Sequence, residues 1–208
     1  MSRGELILVR HGQSHSNAAG RATGEADAEL TPLGQRQAES TAAVLASRSV
    51  TALYTSDLRR AVESARPIER LTGLTAVRTA ALRERSLGQL SELPFPELAA
   101  RYPADWAAIE SANLDARPPG GESLRDCSQR LRPFLAEVLA RHAGERIVLV
   151  SHRMLLDHLL RLLLGLEETA PRCTFDTDNG GVHRLLHWEG CVRVLELNGT
   201  AHLPGEPE

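Results

Sequence analysis

Apolar residues along this chain fall into short unbroken runs and into longer stretches where they recur every three or four positions. Glu5–Arg10 carries four aliphatic residues in succession and ends at a polar, glycine-containing loop, the pattern of a strand buried on both faces. Thr31-Pro32 places an N-cap residue before a proline at the first helical position, and apolar positions then recur helically to about Ala46. Ala52–Thr55 predicts a second strand, Leu58 to Leu71 a helix, and Thr75–Arg78 a third strand. Glu92 to Arg117 is rich in Ala and Pro, carries Tyr102 and Trp106, and predicts short helices capping one end of the molecule. Ser123 to Ala143 reads as a long amphipathic helix with Gly144 as its C-cap. Arg146–Val150 is the clearest strand, and a helix from about Arg153 to Leu164 follows it directly. Thr174 to Leu197 holds two short β-like runs joined by Trp188-Glu189-Gly190, and Leu203–Glu208 reads as a frayed tail. Strands alternating with helices predict an α/β fold, a three-layer α/β/α sandwich with a mainly parallel sheet, as one domain over 1–208.

Composition narrows the class further. With 208 residues, 42% of them apolar, the chain can bury about 70% of its unfolded surface without a disulfide or metal staple. Cys127, Cys173 and Cys191 are odd in number and form no CxxC pair, which argues against a disulfide framework or zinc finger and for a reducing, cytoplasmic setting. The run Leu6–Val9 is too short for a signal-peptide core, and Met154 to Leu166 is broken by Asp157, His158 and Arg161, so no membrane span is expected. A net charge of −3 and few, scattered aromatics leave no footprint of a nucleic-acid partner. All 24 basic residues are arginine. That fork suits phosphate recognition, although codon bias accounts for most of them.

In open α/β sheets chemistry gathers at the carboxyl ends of strands. Two strands here end alike, one running into Arg10-His11-Gly12 and the other into Ser151-His152-Arg153. If these strands are neighbours, two imidazoles and an arginine converge. The second strand leads through Thr55-Ser56 into a helix opening with Asp57, Arg59 and Arg60, whose N-terminal N–H groups also favour anions. This constellation points to a phosphate pocket. His11-x-x-x-His15 has the spacing of a zinc-binding pair but lacks the accompanying glutamate, and the arginines would repel a divalent cation, so no metal is expected.

Leu8-Val9-Arg10-His11-Gly12-Gln13-Ser14 with Asn17 resembles the signature of the histidine phosphatase superfamily, the phosphoglycerate-mutase-like fold. Thr23-Gly24 with Asp27, and Leu30-Thr31-Pro32-Leu33-Gly34-Gln35, are similar to its next segment. Thr55-Ser56-Asp57-Leu58-Arg59-Arg60-Ala61 aligns Arg60 with the second phosphate arginine, and Leu82-Arg83-Glu84 resembles the acid/base segment. Pro119-Gly120-Gly121-Glu122-Ser123 and Val148-Leu149-Val150-Ser151-His152 complete six segments in order, spanning nearly the whole chain.

The resemblance implies a metal-independent, cofactor-free phosphomonoesterase acting on a small phosphorylated metabolite. His11 attacks phosphorus to form a phosphohistidine, and Glu84 protonates the leaving oxygen. Arg10, Arg60 and His152 bind the phosphoryl oxygens, with Asn17, Thr23 and Gly24 assisting. Arg10 and Arg60 disfavour the imidazolium form and keep His11 neutral. Where the family pattern has glycine after the second histidine, this chain has Arg153. A glycine lets a backbone N–H approach phosphate closely. Arg153 either shifts that approach, adds a third cation at the rim, or points outward from its helix. Arg59 is expected in solvent, His15 at the pocket entrance, and Phe95 and Trp106 in the core or cap. The alternative activity is a phosphoglycerate mutase, which needs a lid against water; too little sequence follows Leu197 for a long C-terminal one. Thr23-Gly24 pulls toward the mutase, and a non-catalytic phospho-ligand binder is the third reading.

Overall fold

The structure, a computed structural model, describes residues 3–110, 113–168 and 173–205. Its centre is a six-stranded sheet of β1 (Gly4–Arg10), β2 (Ala52–Ser56), β3 (Val77–Thr79), β4 (Arg146–Ser151), β5 (Val182–Trp188) and β6 (Cys191–Gly199). The spatial order is β3-β2-β4-β1-β5-β6. The four strands β3, β2, β4 and β1 pair in parallel, as expected of strands separated by helices. β5 returns antiparallel to β1, and β6 antiparallel to β5. Their connection is a two-residue hairpin loop, Glu189 and Gly190, with φ of 45° and 76°. Positive φ at both positions matches the hairpin turn to the twist of the strands.

Seven helices are present among the described residues: α1 (His15–Ala18), α2 (Pro32–Ala46), α3 (Arg59–Thr72), α4 (Phe95–Arg101), α5 (Pro103–Glu110), α6 (Leu124–Arg141) and α7 (Arg153–Leu163). The unbroken aliphatic runs are explained by burial on both faces. Leu6 and Leu8 pack with Leu131 and Leu135 of α6 and Leu155 and Leu159 of α7. Ile7 and Val9 pack on the opposite side with Ala42 and Leu45 of α2 and Ala61 and Ala65 of α3. Ile147 and Leu149 of β4 follow the first set, Val148 and Val150 the second. That alternation makes three layers. A third cluster, including Leu90, Leu98 and Ile109 with Trp106 and Met154, gathers under α4 and α5 as the expected helical cap. Positions 111 and 112 of that segment lie outside the described residues.

The boundaries differ from expectation in four places. β3 begins at Val77, because its pairing to β2 starts only at Tyr54↔Val77. α6 stops at Arg141 with His142 as C-cap, while Gly144 sits in the following turn at φ 81°. The His142 ring bonds Tyr54 Oη at 2.9 Å and Glu145 at 2.8 Å, ending the helix early. The four-residue α1 was not expected; Ser14 and Asn17 close it with a reciprocal capping box. The tail is held as far as Leu203, whose N–H donates to Thr200 O at 2.9 Å, while 206–208 lie outside the described residues. Among the described residues no helix is long and apolar enough to cross a membrane.

Candidate active site

β1 and β4 are direct neighbours, with Arg10 opposite Ser151, so the two similar strand ends do converge. The His11 N–H donates to Ser151 O at 3.0 Å, and the His11 and His152 rings lie 5.0 Å apart. Both rings are buried. His11 Nδ1 lies 2.7 Å from Gly12 O. A carbonyl can only accept, so Nδ1 carries the proton and Nε2 keeps the lone pair.

Arg60 enters from the first turn of α3, buried at 1% exposure. Its Nε–H is shared between His11 Nε2 at 3.2 Å and His152 Nδ1 at 3.1 Å. Its two terminal nitrogens donate to Ala26 O at 2.6 Å and Gly24 O at 2.7 Å. The loop carrying Thr23 and Gly24 thus orients this guanidinium. Asp27 completes the arrangement by accepting the Arg59 N–H at 2.8 Å, which caps α3. Burial first, then the Arg60 and Arg10 guanidinium groups, hold the His11 pKa well below the ordinary imidazole value. His152 is pushed the same way, again chiefly by burial and then by Arg60. Its Nδ1 accepts from Arg60, which leaves Nε2 as an N–H, buried and without a partner. Arg10 Nε and Thr23 Oγ1 are likewise buried and unpartnered. Burial brings the Arg10 pKa down to about 10, still a cation at neutral pH.

Glu84 is buried at 7% exposure. Its carboxylate accepts from the backbone N–H groups of Arg85, Met154 and Leu155 at 3.0, 3.1 and 2.9 Å. Two of these donors belong to the first turn of α7, so the helix N-terminus grips the acid. Ser151 Oγ donates to Leu82 O at 2.8 Å, tying the segment before Glu84 to the end of β4. Arg83 does not neutralise Glu84; it forms a two-point pair with Asp57, both contacts at 2.7 Å.

A cavity of about 320 Å³ opens over these groups. Arg10, His11, Asn17, Thr23, Gly24, Arg60 and Glu84 line it, so seven of the eight expected residues share one space. His152 stands behind Arg60 and outside the lining. Phe95, Trp106 and Ile109 of the cap, with Leu124 and Met154, add apolar lining to the same cavity. Phe95 and Trp106 therefore do more than anchor the cap, and Phe95 is 42% exposed. Arg153 is exposed and contributes to the cavity lining. Arg59 is solvent-facing and paired to Glu29 and Glu63. His15 is exposed and outside the cavity lining, since α1 turns it away.

Sequence reasoning missed Asn179 and Ser64. Asn179 Nδ2 donates to His11 O and to Asn17 Oδ1, both at 3.1 Å, and Ser64 Oγ accepts the Gly12 N–H at 3.0 Å. Asn179 lies just before β5, and only the antiparallel return of that strand beside β1 brings it here. Among the described residues no group of three or more His, Cys, Asp or Glu side chains is placed to hold a metal ion.

The sequence model of the histidine phosphatase superfamily (branch 1) matches residues 6–200. A Yersinia pestis (strain Pestoides F) protein named "Probable phosphoglycerate mutase GpmB" is 36% identical over 204 residues, covering 96% of this chain and 94% of that protein. The structure of a mycobacterial glucosyl-3-phosphoglycerate phosphatase in complex with VO3 superposes with a TM-score of 0.82 at 31% identity, covering 95% of this chain and 99% of that one. The alpha-ribazole phosphatase from Shigella flexneri, at 24% identity and a TM-score of 0.82 over 98% of this chain and all of that one, shares the fold.

Proposed function

The chain belongs to the histidine phosphatase superfamily (branch 1), and we propose that it hydrolyses a small phosphomonoester through a phosphohistidine intermediate, without a metal. The observation that carries this reading is the shared Arg60 Nε–H, which touches His11 Nε2 and His152 Nδ1 together. It puts a neutral nucleophile and a fixed cation at one point. When an ester enters, the Arg60 Nε–H passes from His11 Nε2 to a phosphoryl oxygen and frees the Nε2 lone pair, while the terminal nitrogens stay on Ala26 O and Gly24 O. Nε2 then attacks phosphorus while Glu84 delivers a proton to the departing alkoxide. Water next attacks phosphorus and gives a proton to Glu84 as the phosphorus–nitrogen bond breaks, returning the electron pair to His11 Nε2 and releasing inorganic phosphate. Arg10 and Arg60 stabilise the charge on the equatorial oxygens in place of a metal ion, and the unpartnered His152 Nε2–H is a further donor for them.

The cap favours hydrolysis of an ester with an organic body over isomerisation of a three-carbon phosphoglycerate. Phe95, Trp106 and Ile109 offer apolar wall that a small, wholly polar substrate leaves bare. The relative named as a phosphoglycerate mutase keeps transfer between hydroxyls as the second reading. Either activity belongs to the cytoplasmic setting inferred from the odd number and wide spacing of the cysteines.

The test is phosphate release from a panel of phosphomonoesters with EDTA present, together with rapid-quench counting of acid-labile phosphoprotein. Hydrolysis requires turnover that survives EDTA and a phosphoenzyme that decays as fast as turnover without an acceptor alcohol. A phosphoenzyme that outlives many turnovers and is discharged only by a phosphoglycerate replaces the phosphatase with the mutase.

A further inference from the structure

Pro119-Gly120-Gly121-Glu122-Ser123 is one of the six segments that resemble the superfamily, yet none of its residues lines the catalytic cavity. The fold lays it against the segment that carries Glu84. The Glu122 N–H donates to Ser86 O and the Gln89 N–H to Pro119 O, both at 2.9 Å. The two backbones meet so closely that a Cβ on Gly121 would lie 2.5 Å from Ser86 O, and one on Gly88 2.2 Å from Pro119 O. The Glu122 side chain then closes a bracket with Arg130 of α6. Its Oε1 accepts the Arg130 Nε–H at 3.2 Å, while its Oε2 accepts from Arg130 Nη2 at 3.1 Å and from the Ser86 N–H at 3.0 Å. So aimed, the Arg130 fork donates to Ala81 O at 2.7 Å and to Glu84 O at 3.2 Å. Arg85, fully buried, adds a bond from Nε to Glu122 O at 2.8 Å. Ala81, Glu84, Arg85 and Ser86 are thus all fastened to Glu122 and Arg130.

We propose that Glu122 and Arg130 are positioning residues for Glu84: they fix its backbone, while the first turn of α7 fixes its carboxylate. This rests on the phosphomonoester reading above and deepens it. Glu84 serves twice there, giving a proton to the leaving alkoxide and taking one from water, so its carboxyl has to stay within hydrogen-bond reach of both oxygens. The Met154 and Leu155 N–H groups orient the carboxylate but leave the chain that carries it unsupported. A planar guanidinium suits that support, because one rigid fork reaches two carbonyls at once. Glu122 supplies the counter-charge, since the two side chains are only 25% and 21% exposed and a lone cation there would be costly. Neither side chain lines the cavity, so their effect on the reacting atoms passes through Glu84.

The test compares butyl phosphate, whose alkoxide needs the proton, with p-nitrophenyl phosphate, whose phenolate leaves readily without it. In Arg130→Met and in Glu122→Gln the ratio of butyl to p-nitrophenyl kcat should fall by about tenfold to a hundredfold, the cost of slightly misplacing a catalytic group, with KM little changed. Glu122→Gln conserves shape and carries the test should Arg130→Met fail to fold. Arg130→Lys keeps the charge but not the fork, and should fall between the parent and Arg130→Met. With Glu84→Gln already in place, adding Arg130→Met should lower the ratio no further, since the acid it positions is gone. Equal losses on both esters, or a loss that multiplies with that of Glu84→Gln, overturn the proposal and leave Glu122 and Arg130 as supports of the fold alone. NMR of the Met154 and Leu155 amides, which donate to the Glu84 carboxylate, reads the same bracket without turnover. Their proton shifts should move in Arg130→Met toward the values in Glu84→Ala, and shifts that keep the parent's values overturn the proposal. Absence of turnover on every ester, with those shifts responding, overturns the hydrolase reading and leaves the bracket standing.

Discussion

His11 is useful because of what surrounds it. Burial and two guanidinium groups hold its pKa well below the ordinary value of about 6.5, so its ring stays neutral where a free histidine is half protonated. An NMR titration of the His11 ring nitrogens should show Nε2 unprotonated at pH 6.5, and a midpoint near 6.5 would contradict the site geometry. His11→Ala should lower turnover by about 10⁴–10⁶-fold, the scale of losing a covalent nucleophile, and activity like that of the parent would remove the phosphohistidine step. Glu84 has a different signature. Glu84→Gln keeps the shape gripped by α7 but removes the proton, so alkyl phosphates should lose about 10²–10⁴-fold and p-nitrophenyl phosphate, with its good leaving group, far less. Equal losses on both would take the leaving-group role from Glu84.

At the level of elements, the site depends on how closely the loop after β1 meets the start of α2. Thr31 caps α2 through the Gly34 N–H at 3.1 Å, and its own N–H donates to Gln13 O at 2.9 Å. Gly12 and Gly34 face each other with no room to spare. A Cβ on Gly34 would lie 2.1 Å from Gln13 O, and one on Gly12 would lie 2.2 Å from Gly34 O. Both obstacles are backbone, so the loop itself would have to move. Gly34→Ala should therefore cost about 1–3 kcal/mol of stability, the range for overpacking a tight contact, and reduce kcat as His11 shifts. Denaturant unfolding and steady-state rates on one preparation check both; unchanged stability would show that the loop and helix can part without cost.

Across the whole molecule, several histidines are buried in the neutral state. His11 and His152 lie well below the ordinary range, and burial lowers His183 to about 4. His183 Nδ1 accepts the Asn198 N–H at 3.1 Å, a bond that protonation would break. Between pH 6.5 and 5 the unfolded chain takes up protons at these residues that the folded chain refuses, so stability is full above 6.5 and declines as pH falls. Each such histidine contributes up to about 1.4 kcal/mol per pH unit in that window. Tm measured from pH 7.5 to 5 should fall before the carboxylates titrate; a flat profile would mean that these rings are solvated.

The unbroken runs at Leu6–Val9 and Ile147–Val150, the Thr31-Pro32 cap, and the matching ends Arg10-His11 and Ser151-His152 were legible because each is a local pattern of burial, capping or motif. His11, Arg60 and Glu84 could be named as candidates because their motifs resemble those of the superfamily. What the chain order could not convey is contact between distant segments. The adjacency of β1 and β4, the Arg60 fork spanning both imidazoles, and the clasp of α7 on Glu84 arise only when the sheet assembles. Asn179 was invisible because its place depends on β5 returning antiparallel beside β1. The same holds for Arg153. Its identity could be read as a departure, but its place on the cavity lining was decided by the packing of α7 against the sheet, since side-chain direction follows from helix phase and burial rather than from neighbours in sequence.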